Sequence, residues 1–121
     1  MRILVTGSSG NIGQEIVRQL PSRHAVTGVD CRPGPSTHVC ADLTDRAAVE
    51  PLVARADAIV HTAALHVAHV APHSKEAFVE VNIKSTLYLL EAAVRHGMRR
   101  LVYTSSTSAY GHALEARGVA V

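Results

Sequence analysis

The chain has 121 residues, of which 47% are apolar, 18% charged and only 3% aromatic, with a formal net charge of +2. That length supports one domain, and the composition supplies a core of Val, Leu, Ile and Ala, which excludes disorder. Ten Arg and two Lys are scattered, with Arg99-Arg100 the one adjacent pair, so the basic stripe that nucleic acid demands is not there.

No segment approaches the ~18 consecutive apolar residues that would suggest a membrane span. The N-terminus runs directly into a strand pattern, without a signal-peptide pattern. Cys31 and Cys40 therefore read as reduced thiols, and a cytoplasmic location is expected.

Short apolar runs alternate with helical periods along the chain. Arg2–Thr6 (RILVT) reads as a first strand that ends at a glycine turn. Ile12, Ile16, Val17 and Leu20 fall at helical spacing over Asn11–Leu20, and Pro21 stops that helix. His24–Asp30 reads as a second strand, followed by the turn-rich CRPGPS stretch. Thr37–Ala41 is a short third strand. Thr44 and Asp45 offer caps to a helix over Ala47–Ala56, with Pro51 near its start. Asp57–His61 is the fourth strand.

A long helix is expected over about Ser74–Gly97, with Ser74 as its N-cap and Gly97 just past its end. It is apolar on two sides. Val79, Ile83, Leu87, Leu90 and Val94 form the stripe expected to lie on the sheet, while Phe78, Val81, Tyr88, Leu89 and Ala92 fall opposite. The second face should be covered by a further helix, a partner subunit, or both, so a homodimer through this helix is an expectation. Arg99–Ser105 is the fifth strand. This alternation is that of an α/β fold with a parallel sheet and right-handed crossovers.

The segment TGSSGNIG, Thr6–Gly13, lies directly after the first strand and opens the first helix. Gly7 allows the tight turn, Gly10 lets backbone approach a pyrophosphate, and Gly13 lets helix and strand pack closely. The helix N-terminus adds unpaired N–H groups and the positive end of its dipole. The segment has no Lys, so it is not the loop that sets a lysine on a terminal phosphate. Asp30, at the end of the second strand, can accept hydrogen bonds from the adenosine ribose and would repel a 2′-phosphate. This favours NAD over NADP, although Arg32 two residues on could accept such a phosphate.

Three weaker patterns carry less. His66, His69 and His73 stand at i, i+3 and i+7, a spacing zinc sites use, but Pro72 interrupts any helix there and solvated loop histidines are the preferred reading, with no metal expected. His66 could also face a substrate. Ser105-Ser106 lacks the glycines of a nucleophile elbow. A bridge between Cys31 and Cys40 runs against a reducing compartment.

TGxxGxxG, the Asp closing strand two, Asp42-Leu43 after strand three, HTAA at His61–Ala64 and TSSTSAYG at Thr104–Gly111 together resemble the short-chain dehydrogenase/reductases. More narrowly they are similar to the extended group, the NAD-dependent epimerase/dehydratase family, which works largely on nucleotide sugars. The resemblance implies a Rossmann-type doubly wound parallel sheet of strand order 3-2-1-4-5. It implies that Gly7, Gly10, Asn11, Ile12 and Gly13 hold the pyrophosphate and that Asp30 holds the ribose. Asp42 and Leu43 would flank the adenine, and Ala63, Ala64 and Leu65 would line the cofactor groove. Asn82 matches the helix asparagine that fixes the active-site backbone. Ser106 matches the catalytic serine that hydrogen-bonds the substrate oxygen beside the nicotinamide.

The family's acid/base is a tyrosine with a lysine four residues later. Here Tyr88, Tyr103 and Tyr110 are followed at that distance by Ala92, Thr107 and Leu114, and Lys75 and Lys84 both precede the serine strand. The expectation is an NAD(P)-binding domain over residues 1–121 without the carboxyl-terminal substrate-binding region, either an amino-terminal portion of a longer enzyme or a shortened gene product. As such it would be inactive alone. The alternative is a non-catalytic NAD(P)-sensing module that keeps the glycine loop and performs no chemistry.

Overall fold

The computed structural model describes residues 1–66, 69 and 71–106. Among the described residues five strands, β1 (Arg2–Thr6), β2 (Ala25–Asp30), β3 (Val39–Cys40), β4 (Ala58–His61) and β5 (Leu101–Tyr103), form one parallel sheet in the order β3-β2-β1-β4-β5. The expected fold class and strand order are both observed. The chain moves outward from β1 through β2 to β3, then crosses back to β4 on the other side of β1. The gap between β1 and β4 is thus the point where strand order reverses, and open α/β sheets bind their ligands at its carboxyl end.

Helix α1 (Asn11–Gln19) packs on one face of the sheet, and a 3₁₀ turn at Leu20–Ser22 accommodates Pro21. Strand residues alternate between faces. Ile3 and Val5 therefore join Val17 and Ala58 under α1, while Leu4 joins Val29, Ile59, Val49 and Val53 on the opposite side. That opposite face is covered by α2 (Arg46–Val53) and by a long helix in three parts: α3 (Lys75–Phe78), a π-helical segment at Val79–Lys84 and α4 (Ser85–Arg95).

Asp45 caps α2, its side chain accepting from Ala47 N–H at 2.9 Å. The helix tolerates Pro51 in its interior but ends at Val53, three residues short of the expected Ala56. Ser74 caps α3 as expected, accepting from Ala77 N–H, and Gly97 follows α4 with φ +64°. Glu50 of α2 binds Arg95 and His96 at the end of α4, and these bonds, Arg95 first, hold its carboxyl down at about 2.

The face of the long helix that meets the sheet is the reverse of the one expected. Leu89 and Ala92 are fully buried, with Ser85 and Ala93 beside them and Tyr88 packed against the same core. Val79, Ile83, Leu87, Leu90 and Val94 are all exposed, Val94 at 80%. Close approach of a helix to a sheet favours small residues, and Ser85, Ala92 and Ala93 provide them. The wider π turn at Val79–Lys84 also shifts the angular register on which a regular 3.6-residue count relies.

Candidate functional site

The site begins where β1 ends. Gly7 has φ +72°, and a Cβ there would lie 2.7 Å from Ala63 N and 2.8 Å from Thr62 Oγ1. The glycine thus permits both the left-handed turn and the contact with the loop after β4. Gly10 N–H donates to Gly7 C=O at 2.9 Å and closes the turn. A Cβ on Gly13 would sit 2.1 Å from that same carbonyl oxygen, so helix and turn touch backbone to backbone.

Gly10 is also the N-cap of α1, and it brings no side-chain cap. Nor does any acidic residue stand in the first turn, and Asn11 and Ile12 are exposed. The amides of that turn and the positive end of the dipole thus face outward at the strand reversal. This suits an anion.

Asp30 ends β2 with its carboxyl nearly buried. One oxygen accepts from Ser9 N–H at 3.0 Å and the other from Arg32 N–H at 3.0 Å, with the Arg32 guanidinium 3.9 Å away. The carboxylate therefore ties the glycine turn to the end of β2. Burial first, then the Asp30 charge, pushes the adjacent Cys31 thiol up. Cys31 and Cys40 are unbridged.

A hydroxyl cluster that sequence reasoning missed lies beside this carboxylate. Thr37 Oγ1 lies 2.8 Å from both Ser8 Oγ and Ser9 Oγ, and Ser9 Oγ donates to the Arg32 carbonyl. The stretch after β2, expected only as a turn, is thereby strapped onto the glycine loop. Small hydroxyls on both sides were the available signal.

Asp42 is exposed and accepts at one oxygen from Thr44 N–H and Thr44 Oγ1, at 2.9 and 2.8 Å, while Leu43 sits in the core. Thr44 thus closes a turn with Asp42 and leaves the cap of α2 to Asp45. Ala63 and Leu65 are half-buried and Ala64 is exposed in the loop after β4. Asn82, in the π segment, grips that loop from the far side. Its Oδ1 accepts from Leu65 N–H at 2.7 Å, and its Nδ2 donates to Leu65 C=O at 2.8 Å.

His61, at the end of β4, is 1% exposed. Its Nδ1 lies 2.6 Å from Thr6 Oγ1 and its Nε2 lies 2.9 Å from Thr86 Oγ1. Burial pushes its pKa down to about 4, so it is a neutral imidazole at pH 7. Ser106 lies exposed beyond β5, on the strand end that follows the bond from Thr104 N–H to His61 C=O. Tyr110 and the remainder of the TSSTSAYG run from Thr107 lie outside the described residues.

The rings of His66 and His69 are 4.5 Å apart and those of His69 and His73 5.9 Å. His69 Nδ1 accepts from His66 N–H, and His73 Nδ1 lies 3.2 Å from His69 C=O. Burial, followed by the two neighbouring imidazoles, lowers the His69 pKa. Among the described residues no group of three His, Cys, Asp or Glu is arranged to hold a metal ion, and no helix is long and apolar enough to cross a membrane.

A glycine turn at the strand reversal, an open helix N-terminus and an acid closing β2 are the features of a Rossmann-type dinucleotide fold. The sequence matches the model of the NAD dependent epimerase/dehydratase family over residues 3–119, and the chain belongs to that family. It is 36% identical over 126 residues to dTDP-glucose 4,6-dehydratase of Mycobacterium tuberculosis, a match that covers 92% of this chain but 38% of the dehydratase. The chain therefore spans well under half of that relative's length. A short-chain dehydrogenase/reductase superfamily protein from Agrobacterium tumefaciens, solved with bound NAD, superposes with a TM-score of 0.81 at 32% identity, over 93% of this chain and 34% of that one. MoeE5, solved in complex with UDP-glucose and NAD, gives 0.81 at 31% identity, over 92% of this chain and 38% of its own.

Proposed function

We propose that residues 1–121 form the NAD-binding portion of a nucleotide-sugar epimerase- or dehydratase-type oxidoreductase, and that the carboxyl-terminal substrate-binding region is not part of it. The observation that carries this reading is the closed turn Gly7–Gly10 set against the uncapped N-terminus of α1. Gly7, Gly10, Asn11, Ile12 and Gly13 receive the pyrophosphate there. Asp30 keeps unused lone pairs for the ribose hydroxyls, and its charge disfavours a 2′-phosphate. Asp42 and Leu43 border the adenine, and Ala63, Ala64 and Leu65 line the groove toward the nicotinamide. Ser106 offers a hydroxyl to the substrate oxygen.

Hydride chemistry would be supplied by bound NAD, and the residues named above would bind and orient it. The relatives' names support nucleotide sugars as the substrate class. The two unbridged thiols fit a reducing cytoplasm. The exposed stripe Val79, Ile83, Leu87, Leu90 and Val94 supports a homodimer through the long helix. A sensing module is the second reading, favoured by the missing lysine four residues after each of the three tyrosines.

Calorimetric titration of the chain with NAD and NADP tests the proposal. NAD should bind more tightly, and Asp30→Ala should erase that preference. Absence of NAD binding by a folded chain would reject it.

A further inference from the structure

His61 stands outside the roles assigned above, yet it links them. Thr6 and His61 are register partners on β1 and β4, so their side chains emerge on the same face of the sheet. The Thr6 hydroxyl has one proton and two lone pairs. Ala63 N–H donates to its oxygen at 3.3 Å, and Thr62 N–H, shared with the Thr6 carbonyl at 3.3 Å, donates to it at 3.2 Å. Its proton must then go to His61 Nδ1 at 2.6 Å.

That direction decides the rest. With Nδ1 accepting, the imidazole proton sits on Nε2 and is donated to Thr86 Oγ1 at 2.9 Å. Thr86 passes its own proton to the Asn82 carbonyl at 2.8 Å. Asn82 in turn holds both backbone groups of Leu65. The other neutral tautomer would aim three donors at Thr6 and leave its proton without an acceptor, at a buried position where an unmatched group is costly.

We propose that His61 is a positioning residue for the dinucleotide site: through Thr6 on one side and Thr86 on the other, it fixes the loop Thr62–Leu65 relative to the glycine turn. This loop and that turn face each other across the strand reversal, with Gly7 against Ala63. Thr6 holds the loop's start and Asn82 holds its end. The imidazole is the rigid spacer that joins the two anchors. The ligand part of this inference rests on the NAD reading above, whereas the spacer part concerns the free protein.

The test uses Thr86, which lies on the long helix away from the glycine turn. Imidazole ¹⁵N shifts of the free chain should show His61 protonated on Nε2. Thr86→Val, which keeps shape and removes the hydroxyl, should shift the Ala63 and Leu65 amides and weaken NAD binding roughly three- to ten-fold, the worth of about one hydrogen bond. Thr86→Ser should retain both the wild-type shifts and the affinity. A proton on Nδ1, readable in the wild type even if the Val variant fails to fold, would overturn the proposal. So would a folded Thr86→Val with unmoved loop amides, or with moved amides and wild-type NAD affinity. If the amides move as expected but wild type binds no NAD, the spacer stands and the cofactor reading falls.

Discussion

The three glycines of the turn divide the labour between ligand and fold, and two alanine substitutions separate the two. At Gly13 an added Cβ meets the Gly7 carbonyl oxygen at 2.1 Å, its carbon at 2.7 Å and Thr62 Oγ1 at 2.9 Å. Ordinary contact would require more than an ångström of movement, and the two nearest atoms struck are backbone. That movement would also strain the Gly10 N–H to Gly7 C=O bond that closes the turn. Overpacking of this kind costs about 1–3 kcal/mol, and the rigid backbone neighbour argues for the upper end. For a chain this size about 3 kcal/mol corresponds to a fall in Tm of roughly 10 °C.

Gly10 is different. Its Cβ would meet only the Gly7 carbonyl oxygen, at 3.2 Å, and its φ and ψ of −81° and 162° suit any residue. Losing a glycine N-cap and stiffening the unfolded chain act in opposite directions, so Gly10→Ala should change stability by less than about 1 kcal/mol. The new methyl nonetheless stands where a pyrophosphate would approach, and NAD affinity should fall at least roughly ten-fold, about 1.4 kcal/mol. Urea unfolding without ligand and calorimetric titration with NAD measure the two effects separately. A Gly10→Ala protein as destabilised as Gly13→Ala would show the turn to be packed rather than open. One that binds NAD like wild type would remove Gly10 from the site.

The neutral His61 makes stability depend on pH. Its folded pKa of about 4 lies below the unfolded value near 6.5, so the unfolded state binds the proton first. The contribution is full above pH 6.5 and declines as pH falls toward 4, by a total of about 3 kcal/mol. Unfolding curves at pH 7 and pH 4.5 should diverge more for wild type than for His61→Gln, and equal divergence would refute a depressed pKa. The 121-residue chain, with no lysine four residues after any tyrosine, should show no nicotinamide-dependent turnover of a nucleotide sugar. Any measurable rate would contradict that. Sedimentation should find the chain as a dimer and Leu87→Glu as a folded monomer, since Leu87 is exposed on the single protomer. A monomeric wild type would leave the stripe without a self-association role.

The interior of the fold was legible because its signals are local. Val5 and Gly7 mark the end of β1, Pro21 marks the end of α1, and apolar runs mark the central strands. The edge strands are shorter than their sequence suggests. Among the described residues β3 and β5 each pair with a single neighbour, and the expected Thr37–Ala41 and Arg99–Ser105 shrink to Val39–Cys40 and Leu101–Tyr103, where the flanking residues are mostly polar. The long helix misled for another reason. Its larger aliphatic residues suggested the buried face, but Ser85, Ala92 and Ala93 allow the closer approach, and the π segment shifts the phase between the two halves. Hydrophobic size is a poor guide where the fit against a sheet rewards small side chains.

The site shows the same division between local and distant information. Gly7, Gly10, Gly13 and Asp30 were readable because strand, turn and helix follow one another within a short span. The polar wiring was not, because its members are far apart in sequence: Thr6 and His61 are 55 residues apart, and His61 and Thr86 are 25. Thr6 alone reads as the last residue of a strand, and Thr86 as a hydroxyl in a helix. Only the register that pairs Thr6 with His61 brings the hydroxyl to the ring, and that register depends on β4 lying beside β1. Once the strands are placed, counting lone pairs and protons at Thr6 determines the imidazole tautomer without further information. A buried polar residue therefore becomes interpretable at the level of topology, one step later than the glycines that surround the ligand.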